Sequence, residues 1–159
     1  MHKNQGFSLI ELIIVIIVMS ILAILPFINM PGPGLNLDAQ AKKLANDIRY
    51  TQSFSMTKGQ RYRLVITTGS SSYQILNTAG TAVRFTSGNT TTTLNSGISF
   101  GTLSNLPNNL IAFDGEGIPY TTTGSPGTAL AANATIPLQS SGSTTNVIIA
   151  PMTGTVTIQ

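Results

Sequence analysis

Glu11 has the most unusual chemical setting in the chain, because it is the only charged residue between Phe7 and Met30. A carboxylate at membrane depth costs about 2.5 to 3.5 kcal/mol even on lenient insertion scales, so such a residue is expected to be functional. If the chain is cut just before this apolar run, the new α-amino group of Phe7 offers a cation to Glu11 of a neighbouring subunit. In the alternative interpretation, Glu11 lies close enough to the start of the helix to reach the membrane interface.

Other chemically active side chains are scarce. The chain has no cysteine, and its single histidine, His2, precedes the apolar run and would be removed by the same cut. The remaining chain then lacks the residues for a histidine-dependent triad and for most transition-metal sites. It also carries no phosphate-binding glycine loop with lysine and no recognisable pair of catalytic carboxylates. We therefore expect a protein that is not an enzyme and that needs no cofactor.

Asp114 and Glu116 flank a glycine and are the candidate calcium ligands. Two carboxylates supply only part of the roughly six to eight oxygen ligands that Ca²⁺ takes. Asp and Gly also favour turns for local backbone reasons. We therefore favour a turn over a metal site.

The apolar run is long enough for a membrane anchor. At about 1.5 Å rise per residue, a helix over residues 7–30 could cross a hydrocarbon core of about 30 Å. Apolar residues lie on every side of this helix, which is typical of a helix in lipid or in a bundle core. A secretory signal peptide has a shorter apolar region with the cleavage site after it, whereas here the cut is predicted before it. We therefore predict a cleaved leader over residues 1–6 and a retained anchor, with Lys3 on the cytoplasmic side.

Proline and glycine separate this anchor from the rest of the chain. Pro26 and the sequence PGPG at 31–34 predict an interruption of the helix and a hinge over residues 31–35. A second, amphipathic helix is predicted from its N-cap Asn36 to Lys58, with Gly59 as its stop. Its buried stripe recurs at helical spacing and consists of Leu37, Ala41, Leu44, Ile48 and Ser55.

Tyr50 and Phe54 lie four residues apart on this second helix, away from its buried stripe. One interpretation is a contact with another subunit. The other is a local aromatic pair that covers the domain's own loops.

After Gly59 the sequence changes to short β-branched and aromatic runs separated by Gly, Asn and Ser. A helix followed by a series of antiparallel strands indicates an α+β domain in which the helix covers a sheet. Two stretches rich in Thr, Ser and Gly, 86–96 and 121–128, are predicted to be exposed loops. Strands are predicted at 62–67, 73–76, 83–85, 98–100, 110–113, 135–138, 146–150 and 153–158.

The string GFSLIELIIVIIVMSILA resembles the processing and methylation signature of type IV prepilins and type II secretion pseudopilins. The resemblance implies cleavage after Gly6, N-methylation of Phe7 by the same prepilin peptidase, and a role for Glu11 in filament assembly. Ser20 stands where the family often has glycine, and Pro26 comes earlier than the family's usual kinking proline.

Three further stretches are similar to minor pilins and pseudopilins of the H type: DIRYTQSFSMTKGQRYRL at 47–64, FDGEGIPY at 113–120 and VIIAPMTGTVTI at 147–158. This resemblance implies a globular head of two β-sheets packed against the C-terminal half of a long helix. The H type includes a minor pilin that takes up DNA, in whose relatives arginines near the C-terminus contact phosphates. Here no Arg or Lys follows Arg84, so a nucleic-acid partner is not expected.

Arg61, Arg63 and Arg84 are the remaining candidates for a small basic patch. We favour the interpretation that they are solvated charges on strands. The fold class predicted from all these features is α+β: a long N-terminal helix with an apolar transmembrane half and an amphipathic second half, interrupted by Pro and Gly and packed on an antiparallel β-sheet head over residues 36–159.

The function that these features predict is a minor pilin-like structural subunit of a type IV pilus. A minor pseudopilin of a type II secretion system and a pilus-borne DNA-binding or adhesion subunit are the alternatives. The expected partners are other pilins or pseudopilins, the prepilin peptidase and N-methyltransferase, the inner-membrane assembly platform, and membrane lipid before assembly. The expected location is the bacterial inner membrane, with a single span, a cytoplasmic N-terminus and a periplasmic head, followed by the filament.

Overall fold

The computed structural model describes residues 8–28, 33–124 and 126–159. The chain divides into two units, with the boundary between Gly32 and Pro33. The first unit contains helix α1, and the second, called the head below, contains helix α2 and the strands. The predicted cleavage and methylation residues, Gly6 and Phe7, lie outside the described residues.

Helix α1 runs from Leu9 to Ile28. Its large apolar side chains from Leu9 to Ile21 are between 46% and 77% exposed in the isolated chain. The hydroxyl of Ser20 donates a hydrogen bond of 2.7 Å to the carbonyl of Ile16, so this polar side chain is satisfied within its own helix. Judged by length and hydropathy together, no helix among the described residues reaches what a membrane span requires.

The bounds of the two helices differ from the predicted ones on both sides of residues 29–32. Helix α1 continues past Pro26 to Ile28, and α2 begins at Pro33 rather than at Asn36. Pro26 lies in the last turn of α1 and removes only one backbone hydrogen bond there. The helix can therefore continue for two residues beyond it. Proline is also well suited to the first turn of a helix, where its missing amide would have no partner. The predicted hinge at 31–35 was therefore wrong for its last three residues.

Helix α2 runs from Pro33 to Lys58, and Gly59 ends it with φ of +61°. Glycine adopts this left-handed conformation without the steric cost that a Cβ atom brings. The predicted stripe is the buried face of α2, extended by Gln40, Ala45 and Thr51. The stop and the stripe were thus correctly predicted.

Two antiparallel sheets form the rest of the head. The six-stranded sheet has the order β3-β2-β1-β6-β7, with β4 also paired to β2, and the four-stranded sheet has the order β10-β9-β8-β5. A short 3₁₀ helix at Thr68–Ser70 joins β1 to β2. The strands are β1 Tyr62–Thr67, β2 Ser72–Leu76, β3 Ala82–Val83, β4 Thr91–Thr93, β5 Ser99–Phe100, β6 Leu110–Phe113, β7 Pro119–Tyr120, β8 Ala134–Ser140, β9 Ser143–Ile149 and β10 Val156–Ile158.

Strand β4 lies inside a stretch that was predicted to be a loop. Its three threonines pair with β2, with Thr92 opposite Tyr73, and the Thr92 side chain is buried. Threonine is β-branched and fits a pleated, half-buried surface. A run of three threonines has no alternation of apolar and polar residues, however, so the sequence pattern does not predict a strand there. The loop prediction for 86–96 was therefore wrong at Thr91–Thr93. Strand β7 was also not predicted.

Helix α2 packs against strands of both sheets, and this arrangement makes the core. The largest fully buried side chains come from all three layers and include Leu44 and Ile48 of α2, Ile111 and Phe113 of β6, and Ile149 of β9. The predicted α+β class with a helix on antiparallel sheets is confirmed, and the two sheets expected from the H-type resemblance are present.

Candidate functional site

Glu11 lies in the first turn of α1 and is exposed. A carboxylate at this position interacts favourably with the partial positive charge of the helix N-terminus. Its neighbours Leu9, Ile10 and Leu12 are 77%, 67% and 58% exposed. The carboxylate is therefore surrounded by exposed apolar side chains. This arrangement suits a contact in which a cation arrives together with apolar side chains.

Tyr50 and Phe54 are half-buried and pack against the core of the head. Their rings stack with centroids 5.6 Å apart, and the Phe54 ring meets Tyr62 edge to face at 4.7 Å. The ammonium group of Lys58 lies 5.6 Å from the centre of the Phe54 ring. The pair therefore belongs to an aromatic cluster of the head itself, while part of each ring remains at the surface.

Arg61 is engaged within the head. Its guanidinium lies 4.1 Å from the centre of the Tyr120 ring and also donates a hydrogen bond to the carbonyl of Gly124. A planar guanidinium is suited to stacking and donating at the same time. Because one interaction joins Arg61 to β7 and the other joins it to the segment that follows, Arg61 has less freedom to bind an external anion.

Arg63 and Arg84 are less constrained than Arg61. Arg63 lies on β1 opposite Leu76 of β2, with its side chain half-buried, and Arg84 directly follows β3 and is exposed. Of the three arginines, only Arg63 therefore lies on a strand; Arg61 precedes β1, Arg84 follows β3, and Arg61 has an internal partner.

Asp114 builds the turn between β6 and β7. Its Oδ1 atom accepts hydrogen bonds from the amides of Glu116, at 3.0 Å, and Ile118, at 2.9 Å. A hydrogen bond to Asp114 is the main reason why the pKa of Tyr120 is raised above 10.0. Glu116 is exposed, and no group of three or more His, Cys, Asp or Glu side chains suited to a metal occurs in the described part of the chain. The carboxylate of Asp114 thus stabilises the turn and interacts with Tyr120.

Gln52, which the sequence did not single out, connects this turn to a second one. Its Nε2 atom donates to the carbonyl of Gly117 and to the carbonyl of Thr153, both at 2.8 Å. The two carbonyls belong to the β6–β7 turn and the β9–β10 turn, so one side chain of α2 holds a turn of each sheet.

Close backbone approach makes this junction possible. A Cβ atom on Gly154 would lie 2.7 Å from Gln52 Nε2, and one on Gly117 would lie 2.9 Å from Met56 Sδ. The positive φ angles favour glycine at both turns. At Gly154 a Cβ atom would also lie 2.8 Å from the buried ring of Phe113, so space favours glycine there as well. The stretches 113–120 and 147–158, noted above as H-type similarities, contain these turns. Their meeting on Gln52 could not be found without the fold.

Residues 1–25 match the family model of the prokaryotic N-terminal methylation motif. The match includes Gly6, Phe7 and Glu11 at the spacing described above. No curated protein matches the chain.

Solved structures share the fold of the head at low sequence identity. The minor pseudopilin EpsH from the type 2 secretion system of Vibrio cholerae is 13% identical, with a TM-score of 0.60 over 78% of this chain and 96% of its own. The type IV minor pilin FimU of Pseudomonas aeruginosa is 11% identical, with a TM-score of 0.53 over 77% of this chain and 92% of its own. At such identities the likeness concerns the fold, whereas the N-terminal motif concerns processing. The chain thus carries an N-terminal methylation motif and shares the fold of a minor pseudopilin and a type IV minor pilin.

Proposed function

We propose that this chain is a minor pilin-like structural subunit that assembles into an envelope filament through its N-terminal helix. The observation that carries the proposal is a single carboxylate, Glu11, on an otherwise uncharged helix, most of which lies within the methylation motif. In an apolar filament core this charge is costly unless a cation neutralises it. The amino group of a neighbouring subunit, freed by cleavage after Gly6, has the required charge.

The proposed pathway begins at the inner membrane. Residues 7–30, which extend beyond the described part of α1, form the single membrane span, with the leader over 1–6 in the cytoplasm and the head in the periplasm. Prepilin peptidase removes the leader and methylates Phe7. The assembly platform then transfers the helix from the membrane to the filament, where the apolar helices of other subunits surround it in place of lipid.

The type IV pilus is the filament that we favour, and the type II secretion pseudopilus is the second candidate. The second candidate is supported by the likeness of the head to EpsH, at a TM-score of 0.60. Deleting the gene separates the two, because loss of pili with normal secretion supports the first, and loss of secretion with normal pili supports the second. If both are unimpaired in the deletion strain, the chain is not a required subunit of either filament.

The assembly step is tested by the variant Glu11→Gln, which keeps the size of the side chain and removes its charge. We expect normal leader removal, shown by mass spectrometry of the mature N-terminus, together with at least about tenfold less chain in sheared filaments, the effect of roughly 1.4 kcal/mol. Ser20→Ala is the matched control, because the Ser20 hydroxyl bonds only to its own helix in the structure. Normal incorporation of the Glu11→Gln chain would refute the proposed role of Glu11.

A further inference from the structure

Two methionines are the large apolar side chains that remain exposed on the head. Within residues 36–124 and 126–159, Met152 is 80% exposed and Met56 is 53% exposed, whereas the other exposed apolar side chains of this size lie on α1. Scattered exposed apolar residues are normal, so exposure alone would carry no conclusion. The position of these two is more informative.

Both methionines lie at the junction that Gln52 organises. Met56 follows Gln52 by one helical turn and therefore shares its face of α2. Its sulfur atom also lies against Gly117, and Met152 directly precedes Thr153, so each methionine adjoins a carbonyl that Gln52 binds. We call Met56, Met152 and the two turns held by Gln52 the methionine surface.

The backbone of Met152 is in an unfavourable conformation for its side chain. Its φ is +62°, in the left-handed region that glycine and asparagine adopt readily and unbranched apolar residues adopt rarely. Two backbone hydrogen bonds hold the turn. The amide of Thr153 donates to the carbonyl of Pro151 at 2.7 Å, and the amide of Gly154 donates to the carbonyl of Ala150 at 3.1 Å. An apolar side chain presented to solvent from such a fixed turn contributes nothing to the core, and outliers of this kind concentrate at functional sites.

The size of the surface indicates what covers it. Two methionine side chains and the adjoining turns offer far less than the ~800 Å² per partner that a stable soluble complex buries. Such a small contact is effective only between molecules that are already held together, because tethering makes the second contact intramolecular. Subunits joined through their N-terminal helices meet this condition. Methionine also adapts to irregular apolar surfaces better than branched side chains do.

We infer that the methionine surface contacts the head of a neighbouring pilin-like subunit in the same filament, against an apolar patch. This inference rests on the proposed function, since it requires a filament. The contact orients heads that the N-terminal helices have already brought together, and Gln52 keeps the surface in its binding shape before assembly.

Site-specific photocrosslinking in assembled filaments tests the contact directly. The native chain has no cysteine, so Met152→Cys can be labelled uniquely with a maleimide photocrosslinker. Thr144→Cys, at an exposed position on β9 away from the two turns, is the matched control. We expect a covalent product with another pilin-like subunit from position 152 and much less from position 144. Equal crosslinking at the two positions, or products with non-filament proteins only, would overturn the inference.

Substitutions that change polarity give a second readout. Met152→Glu should lower the amount of chain in sheared filaments about fivefold, the scale of one lost apolar anchor, while Met152→Leu should keep it. Equal membrane levels of both variants before assembly show that folding is intact. If Met152→Glu is incorporated normally while Glu11→Gln is not, the inference fails and the proposed function stands. If both are incorporated normally, the assembly mechanism fails as well.

Discussion

At the scale of single residues, Asp47 illustrates how a helix of the head is joined to a sheet. Its Oδ2 atom accepts a hydrogen bond of 2.7 Å from the hydroxyl of Tyr73, a fully buried residue on β2. Burial raises the pKa of Asp47 above its ordinary value of 3.8, and this effect exceeds the opposing effects of the Tyr73 hydrogen bond and of Lys43. The ionised form of Asp47 is therefore less favourable in the folded head than in the unfolded chain.

The sign of this shift predicts a pH dependence. Because the folded pKa is the higher one, the contribution of Asp47 to stability is full below about pH 3.9 and declines as pH rises through the folded value. Asp47→Asn keeps an acceptor for Tyr73 and cannot ionise. Its stability relative to the native chain should therefore rise between about pH 4 and pH 7. Thermal unfolding of the detergent-solubilised full chain measures this difference, and a difference that stays constant or falls with pH would contradict the prediction.

At the scale of elements, the connections of the head depend on two glycines with nearly the same backbone. Gly59, after α2, and Gly154, before β10, have φ of +61° and +64°. A Cβ atom on Gly59 would have nothing within 4 Å, whereas one on Gly154 would meet Gln52 at 2.7 Å and Phe113 at 2.8 Å. The two positions thus separate the cost of the backbone conformation from the cost of crowding.

Alanine substitutions should reveal the two costs. Gly59→Ala should lose about 1 to 2 kcal/mol, the cost of a left-handed conformation for a residue with Cβ. Gly154→Ala should lose about 1 to 3 kcal/mol more, because the new methyl group must displace both Gln52 and the buried Phe113 ring. The free energy of unfolding of each full-length variant in detergent gives the values. Equal losses would mean that the junction at Gln52 relaxes without cost.

The elements also show how far local sequence patterns predict this fold. Strands β1 and β6 were predicted with their observed ends, because β-branched and aromatic residues fill both and turn residues bound them. Thr91–Thr93 was missed because its strand character comes from pairing with β2 and not from apolar alternation. The role of Gln52 could not be predicted, since its acceptors lie 65 and 101 residues further along the chain.

The candidate site shows the same division. The N-terminal signature was recognised from consecutive residues, and the family scan confirms the methylation motif there. The roles proposed for Gly6, Phe7 and Glu11 within that motif stay predictions. The internal partners of Arg61 became visible only in the structure, because Tyr120 and Gly124 are brought to it by the pairing of β1, β6 and β7.

At the scale of the whole molecule, the net charge of the head is small, and some of its basic side chains are engaged in interactions within the head. Without Lys3 and Glu11 the sequence has seven basic and four acidic side chains, a net charge of +3. Arg49 donates to Asn46 and to the carbonyl of Val156, and Arg61 is engaged with Tyr120 and Gly124. Nonspecific affinity for nucleic acid comes mainly from basic side chains that neutralise phosphates. The head therefore has few cations to offer to such a ligand.

We therefore expect weak DNA binding by the full chain in detergent, with a dissociation constant above about 10⁻⁴ M at physiological salt. If Arg63 and Arg84 are the cations that contact phosphates, the slope of log affinity against log salt should be about −1.8, the value for two neutralised phosphates. Gel-shift titration across salt measures both quantities. The double substitution of Arg63 and Arg84 by Ala should remove the slope, whereas Arg61→Ala should leave it nearly unchanged because its guanidinium is bound internally. Micromolar binding with a steep slope would instead establish the head as a DNA receptor carried by the filament.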